Sequence, residues 1–374
     1  MTEFLRPVWA EVDLAALREN VAELCAIAAP ARVLAVVKAD GYGHGAVATG
    51  RAAVEAGAAM LGVALVEEGV ELREAGIDAP ILVLSEPVAD AATTVVAARL
   101  TPAVYTAAGV EALAKAVVER DSIPLPVHLK VDTGMHRVGA APEAAAALAE
   151  LVDAHRELKL QGLWTHLAVA DEPGNPYTGE QLQQFDEVRE RLAGRGHRPE
   201  IVHAANTAGT LAFPNARYDL VRPGIGVYGI PPVPELSSVV RLRAVLAVKA
   251  RVSFVKRVPA GAAISYGLRY RVERPVNIAT VPIGYGDGVP RNLSEAGGEV
   301  LVRGRRRPIA GTVTMDQLMV DLGDDDIEVG EEVVLIGRQG EEEITAAEWA
   351  ARLQTIPYEI VCNIGPRVPR RVLA

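Results

Sequence analysis

The chain has 374 residues, 50% of them hydrophobic and 23% charged, which excludes a disordered protein and, at roughly 150 residues per domain, suggests two domains. Its 48 acidic residues outnumber the 38 basic ones, for a net charge of −10, and this argues against nucleic acid or an anionic membrane as the main partner. The two cysteines, Cys25 and Cys362, fit a reducing compartment and exclude a Cys-rich metal site. Residues 1–6 lack the apolar run of a signal peptide, and no uncharged apolar stretch reaches about 20 residues, so a cytoplasmic protein with no membrane span is expected.

In chain order, a helix is expected over residues 13–28, with Asp13 as its N-cap. Short apolar runs then follow at 33–37, 61–65, 81–84, 103–105, 127–131, 162–165, 201–204 and 220–221. Ala-rich segments of helical length and composition separate them, among them 45–58, 66–75, 109–119, 142–155 and 178–192. Eight runs with helices between them predict an α/β fold, a (β/α)8 TIM-type barrel, with a doubly wound sheet as the rival. After Pro231-Pro232-Val-Pro234 the texture changes. Val-rich runs at 245–258, 276–282, 300–302, 312–320 and 332–336, punctuated by Gly and Pro, predict a second, C-terminal all-β domain. The expected domains are 1–235 and 236–374, with the first ~10 residues able to pack against the β domain.

The ends of the predicted barrel strands carry the chemistry. A barrel places its active site at the C-terminal rim of its strands. The first run ends in Lys38, followed by Asp40-Gly-Tyr42-Gly-His-Gly45. The fifth ends in Lys130-Val-Asp-Thr-Gly-Met-His-Arg137, the sixth in His166, the seventh in Asn206-Thr207, and the eighth in Arg222-Pro-Gly-Ile-Gly226. A partly desolvated lysine at Lys38 would lose basicity and could act as an amine nucleophile or base. A lysine at that place can equally just mark the strand's exit into solvent. Gly224-Ile-Gly226-Val-Tyr-Gly229 matches a dinucleotide fingerprint, but Pro231-Pro232 interrupts the helix such a fingerprint needs. It reads better as an anion cradle after the last barrel strand. No Walker A or His-Glu-x-x-His sequence occurs, and the seven dispersed histidines predict no metal.

Together these motifs resemble the alanine racemases, fold-type III enzymes that use pyridoxal 5'-phosphate (PLP). The resemblance rests on Ala35-Val-Val-Lys38-Ala-Asp-Gly-Tyr42-Gly-His-Gly45, Lys130–Gly139, Thr165-His166, Ala205-Asn206-Thr207, Arg222–Gly226, Ile264-Ser-Tyr266-Gly267, Ile283–Gly288, Met315-Asp316-Gln317 and Ile356-Pro-Tyr358-Glu359, in family order along nearly the whole chain. It implies a PLP-binding barrel, a β domain, and a head-to-tail homodimer whose active site is shared between subunits. It further implies that Lys38 holds PLP as a Schiff base. Tyr42, Thr207, Tyr358 and the backbone at Gly224 and Ile225 would hold the phosphate, with Asn206 and His166 also at the cofactor. Arg222 would face the pyridine nitrogen. Arg137 and the Met315 backbone, from the partner subunit, would meet the substrate carboxylate, with Tyr285 and Asp316 near the pocket. Lys130 matches a position carbamylated in some members. Thr207 stands where Ser is usual, Thr314 where Cys is frequent, and Gly286 where Ala is usual.

These residue types suit racemisation. An α-proton must leave one face of the substrate and another must return to the opposite face, which two bases accomplish without moving. The resemblance implies Lys38 and Tyr266 as that pair, with His166 bridging Tyr266 and Arg222. A tyrosine ordinarily titrates near ~10, so phenolate chemistry near neutral pH needs such neighbours. The expected reaction is interconversion of L- and D-alanine, supplying D-alanine for peptidoglycan. The alternatives are a PLP racemase of serine or a broader set of amino acids, a fold-type III decarboxylase, a non-enzymatic PLP carrier, or an unrelated barrel without cofactor.

Overall fold

The computed structural model describes residues 5–374, which divide into two compact units. One comprises Leu17–Gly41 and Ala46–Arg243, the other residues 5–16, Tyr42–Gly45 and Ala244–Ala374. The first strand, β1 (Val8–Asp13), belongs to the second unit, and helix α1 (Leu14–Ala28) follows it. Asp13 caps this helix, its Oδ1 accepting the Ala16 N–H at 2.9 Å.

The larger unit is built on β2 (Arg32–Val36), β3 (Met60–Val63), β4 (Ile81–Val83), β5 (Thr101–Val104), β6 (Leu125–Lys130), β7 (Leu158–Trp164), β8 (Ile201–His203) and β9 (Leu220–Val221). All neighbours are parallel, in the order β8-β7-β6-β5-β4-β3-β2-β9. Between β8 and β9 the Asp219 N–H donates to Val202 C=O at 3.0 Å and the Arg222 N–H to Ala205 C=O at 2.9 Å. The sheet therefore curls into a near-closed barrel, and the doubly wound alternative falls. Leu34, Leu61, Ile81, Leu82 and Leu163 are wholly buried, as expected of parallel strands covered on both faces. Helices such as Ala46–Glu55, Ala107–Glu119, Ala145–Ala154 and Tyr177–Gly194 connect the strands. Among the described residues no helix is long and apolar enough to cross a membrane.

The second unit is mostly antiparallel. Its strands are β10 (Leu246–Arg251), β11 (Phe254–Val258), β12 (Ala263–Ile264), β13 (Tyr270–Arg271), β14 (Val276–Val281), β15 (Glu299–Val302), β16 (Arg305–Pro308), β17 (Leu318–Gly323), β18 (Glu332–Gln339), β19 (Glu342–Ile344) and β20 (Arg370–Leu373). The larger sheet runs β16-β15-β18-β10-β1-β20 with β19 on β18, and a smaller one runs β11-β14-β17. Three details differ from the sequence expectation. Of the run expected at 312–320 only the last residues are strand, because 312–317 form the turn that carries Met315. The run at 245–258 is two strands, because the chain turns between Arg251 and Phe254. The unit also carries two helices, Ala346–Leu353 and Pro357–Cys362, the first capped by Thr345 Oγ1 on the Glu348 N–H at 3.0 Å.

Candidate active site

Lys38 lies two residues beyond β2, where it opens the turn Lys38–Gly43. Ala39, Asp40, Gly41, Tyr42 and Gly43 have φ of +53°, +52°, +59°, +52° and +78°. This is a left-handed turn, and non-glycine residues cost roughly 1–2 kcal/mol each in that region. Side chains hold it. Glu68 accepts the Ala39 N–H at 2.6 Å through Oε1, and the Ala64 and Leu65 N–H at 2.8 and 3.1 Å through Oε2. Asp40 Oδ1 accepts the Ala46 N–H at 2.8 Å.

Arg222, just past β9, is buried, and its side chain is bonded to carbonyls and imidazoles. Its Nη2 donates to Thr165 C=O at 2.8 Å, Ala204 C=O at 2.9 Å and His166 Nδ1 at 3.2 Å. Its Nη1 meets His203 Nδ1 at 2.8 Å. The guanidinium lies 4.6 Å above the Trp164 ring, and Lys130 Nζ lies 4.4 Å from the same ring. Burial lowers Arg222 to about 9, so it stays cationic at neutral pH. Burial, helped by Arg222, Arg137 and Lys38, lowers Lys130 to about 8 against the opposing pull of Asp132. Loss of water and then Arg222, Lys130, Arg137 and Lys38 push His166 well below its ordinary value, which keeps it neutral. Four cations thus converge on one rim, with Asp132 the carboxylate among them.

Asp132 is occupied with its own loop. Its Oδ1 accepts the Gly134 and His136 N–H, both at 3.0 Å, while Tyr177 donates its hydroxyl to Gly134 C=O at 2.9 Å. Those backbone donors outweigh burial and hold the Asp132 carboxyl below its usual range. Buried Gln181 ties the neighbouring loops together, donating to His166 C=O at 3.1 Å and accepting the Ala168 N–H at 2.8 Å. Thr207 Oγ1 accepts the Gly224 N–H at 2.9 Å, and the Gly226 N–H approaches it at 3.5 Å, while Ile225 opens the short turn Ile225–Tyr228. Asn206 caps the helix Thr207–Ala212, its Oδ1 accepting the Gly209 N–H at 2.9 Å.

The remaining predicted residues lie in the second unit. Tyr42 is buried with its ring 6.1 Å from that of Tyr358, and burial raises its phenol above the ordinary value. Tyr266 follows Ser265, whose φ is +63°, and is 71% exposed. Tyr285 and Met315 sit on two turns locked together by backbone bonds of 2.9 Å, from the Tyr285 N–H to Thr314 C=O and from the Gly286 N–H to Met315 C=O. Arg367 joins the same turns, bonding Asp316 Oδ1 at 2.6 Å and pairing with buried Asp287 at 3.3 Å. The sequence reading missed Glu68, Gln181, Trp164, His128, His203 and Arg367. For the two histidines a signal existed, since each interrupts an apolar barrel run.

Two family models, "Alanine racemase, N-terminal domain" and "Alanine racemase, C-terminal domain", match residues 12–232 and 245–372. The chain is 51% identical to the alanine racemase of Symbiobacterium thermophilum over 371 residues, covering 98% of this chain and 97% of that protein. The crystal structure of alanine racemase from D-cycloserine-producing Streptomyces lavendulae superposes with a TM-score of 0.94 at 40% identity, covering 100% of this chain and 98% of that one. A histidine racemase from Leuconostoc mesenteroides has the same fold, with a TM-score of 0.91 at 30% identity over 100% of this chain and 99% of its own. With two models spanning most of its length and a relative sharing half its residues, this chain belongs to the alanine racemase family of isomerases.

Proposed function

We propose that the chain is a PLP-dependent racemase that interconverts L- and D-alanine by a two-base mechanism. The observation that carries this reading is the cluster of Lys38, Lys130, Arg137 and Arg222 about His166, with Asp132 as the carboxylate among them. Such a cluster is electrostatically costly alone and fits an anionic cofactor and a substrate carboxylate. The donors also suit PLP. Thr207 and the backbone of Gly224 and Ile225 lie together after the last barrel strand, where barrels hold phosphate. Tyr42 and Tyr358 supply two phenols, and Asn206 orders the loop. PLP, when bound, supplies an electron sink for the substrate's α-carbon.

The chain's own residues do the rest. Lys38 would hold the cofactor, and its amine, once substrate has taken its place on the cofactor, would serve one face of the substrate as a base. Tyr266 serves the other face. The Arg222 guanidinium donates to His166 Nδ1, so neutral His166 carries its proton on Nε2. That N–H would be available to the phenol oxygen of Tyr266 of the partner subunit. Arg222 would be the residue that meets the cofactor's ring nitrogen and, holding its own proton, would leave that nitrogen unprotonated. Arg137 and the Met315 backbone take the substrate carboxylate, and Lys130, when carbamylated, becomes an anion that orients Arg137. Tyr285, Tyr358 and Asp316 line the entrance and favour a small side chain.

Tyr266, Leu268, Met315 and Ile356 are all more than half exposed. This supports a homodimer in which Tyr266 and Met315 complete the partner's site. In a cytoplasmic setting the product would be D-alanine for peptidoglycan.

Borohydride reduction of the purified protein followed by peptide mapping tests the cofactor, and circular dichroism with L-alanine tests the reaction. The expected results are a label on Lys38 and decay of optical activity to zero. No label after incubation with PLP would overturn the reading, and carbon dioxide release would replace it with a decarboxylase. A second reading, racemisation of larger amino acids, is favoured by the histidine racemase of like fold. Rates on a panel that includes L-serine and L-histidine separate the two, since one methylene is discriminated by only about 1–3 kcal/mol.

A further inference from the structure

The core of a barrel of this kind is normally filled with Val, Ile and Leu. Here it holds a polar chain. From Arg222, His203 is reached at 2.8 Å through Nδ1. His203 Nε2 then meets His128 Nδ1 at 2.9 Å, and His128 Nε2 meets Gln161 Oε1 at 3.4 Å. Both histidines have 0% exposure, and Trp164 stacks on His203 at 5.4 Å and 7°.

The direction of this chain follows from its ends. A guanidinium only donates, so His203 Nδ1 must accept. A neutral His203 then carries its proton on Nε2 and gives it to His128 Nδ1. His128 in turn carries its proton on Nε2, and the amide oxygen of Gln161 closes the chain. Burial lowers His128 to about 4 and His203 well below its usual value, so both are neutral at physiological pH. The sequence makes room for this arrangement at Gly162, which faces His128 across β6 and β7. A Cβ there would lie 2.4 Å from the His128 ring.

We propose that His128 and Gln161 are positioning residues for Arg222: they commit His203 to the tautomer that accepts from the guanidinium, and so fix the cation's place and orientation. The proposal rests on the reading of Arg222 as the group facing the cofactor. His128 and Gln161 each act on Arg222 through a neighbour.

Nitrogen-15 NMR of histidine-labelled protein, with and without PLP, tests it. The expected result is His203 and His128 as the Nε2–H tautomer from about pH 6 to 8.5. A proton on His203 Nδ1, or an imidazolium at either residue, overturns the proposal without any variant. For His128→Leu the expectation is a mixed His203 tautomer and a kcat lowered about 10–100-fold, with KM for alanine changed less than about 3-fold. His128→Asn, whose Oδ1 can stand in for Nδ1, restores both the tautomer and most of kcat. If His128→Leu does not fold, Gln161→Leu at the half-buried end of the chain gives the same readout. A wild-type tautomer and kcat in the leucine variant reduces the position to core filling and overturns the proposal. The borohydride label on Lys38 is expected unchanged in every variant, so loss of the cofactor reading and loss of this one are told apart.

Discussion

Arg222 stands just past β9, at the barrel rim. It is buried, satisfied by two carbonyls and two imidazoles rather than a carboxylate, and supported by an indole face. An ordinary buried cation would seek an acid. This one is held by neutral acceptors, which leaves its charge available to an anion. Arg222→Glu removes that charge and offers a group that can share a proton with the cofactor ring. The expected outcome is racemisation lowered by about 10²-fold or more and transamination raised, measured as keto acid released per D-alanine formed. Unchanged partition between the two reactions would show that the guanidinium does not govern reaction choice. Lys130, lowered to about 8 among three other cations, is expected to take up carbon dioxide as a carbamate. Intact-protein mass in bicarbonate buffer, expected to be heavier by one carbon dioxide and to revert in Lys130→Ala, checks this.

The left-handed turn Lys38–Gly43 shows how an element can be stabilised against its own backbone preference. Three residues with side chains adopt positive φ. Glu68, from the helix Val66–Glu74, offsets part of that cost by accepting the Ala39 N–H, while its other oxygen accepts the Ala64 and Leu65 N–H groups and so fixes the carboxylate in place. Glu68→Ala is expected to cost about 1–3 kcal/mol of stability and to lower kcat more than the Tm shift alone explains, because Lys38 loses its seat. Scanning calorimetry beside steady-state kinetics reads the two effects separately. Gly43 is required for a different reason. A Cβ there would lie 2.3 Å from Val361 C=O, so Gly43→Ala must push the Tyr42 turn away from the helix that carries Tyr358.

Two consequences concern the molecule as a whole. If Tyr266 completes a partner's site, then Lys38→Ala and Tyr266→Phe chains, each inactive alone, should recover activity when refolded together. Random pairing restores about a quarter of all sites. No recovery would mean that each chain is self-sufficient. Acid stability follows from the core histidines. Both have folded pKa values below 6.5, so below that pH the unfolded chain binds protons that the folded one refuses, and stability falls as pH drops. Each contributes about 1.4 kcal/mol per pH unit well below 6.5. For His128 the loss runs down to about pH 4. Urea unfolding between pH 7 and 5 should show this slope, reduced by one histidine's share in His128→Asn.

The β/α alternation, the change of texture near residue 235 and the polar residues at the strand ends were all legible in the chain, because each depends on neighbours a few positions apart. Helical composition, short apolar runs and Gly-Pro punctuation act locally, and Asp13, expected as a cap, caps α1. Long-range pairing is not written that way. Strand β1 finds its partners in β10, beyond the whole barrel, and in β20, at the opposite end of the sequence. His128 and His203 meet 75 positions apart. Arg367 reaches Asp316 across 51. Which strands become neighbours is set by burying the faces of whole sheets, and which polar groups enter the core is set by the partners that folding brings to them. Local pattern could therefore announce a barrel with a polar, charged rim, while the wiring behind Arg222 existed only once the barrel had closed.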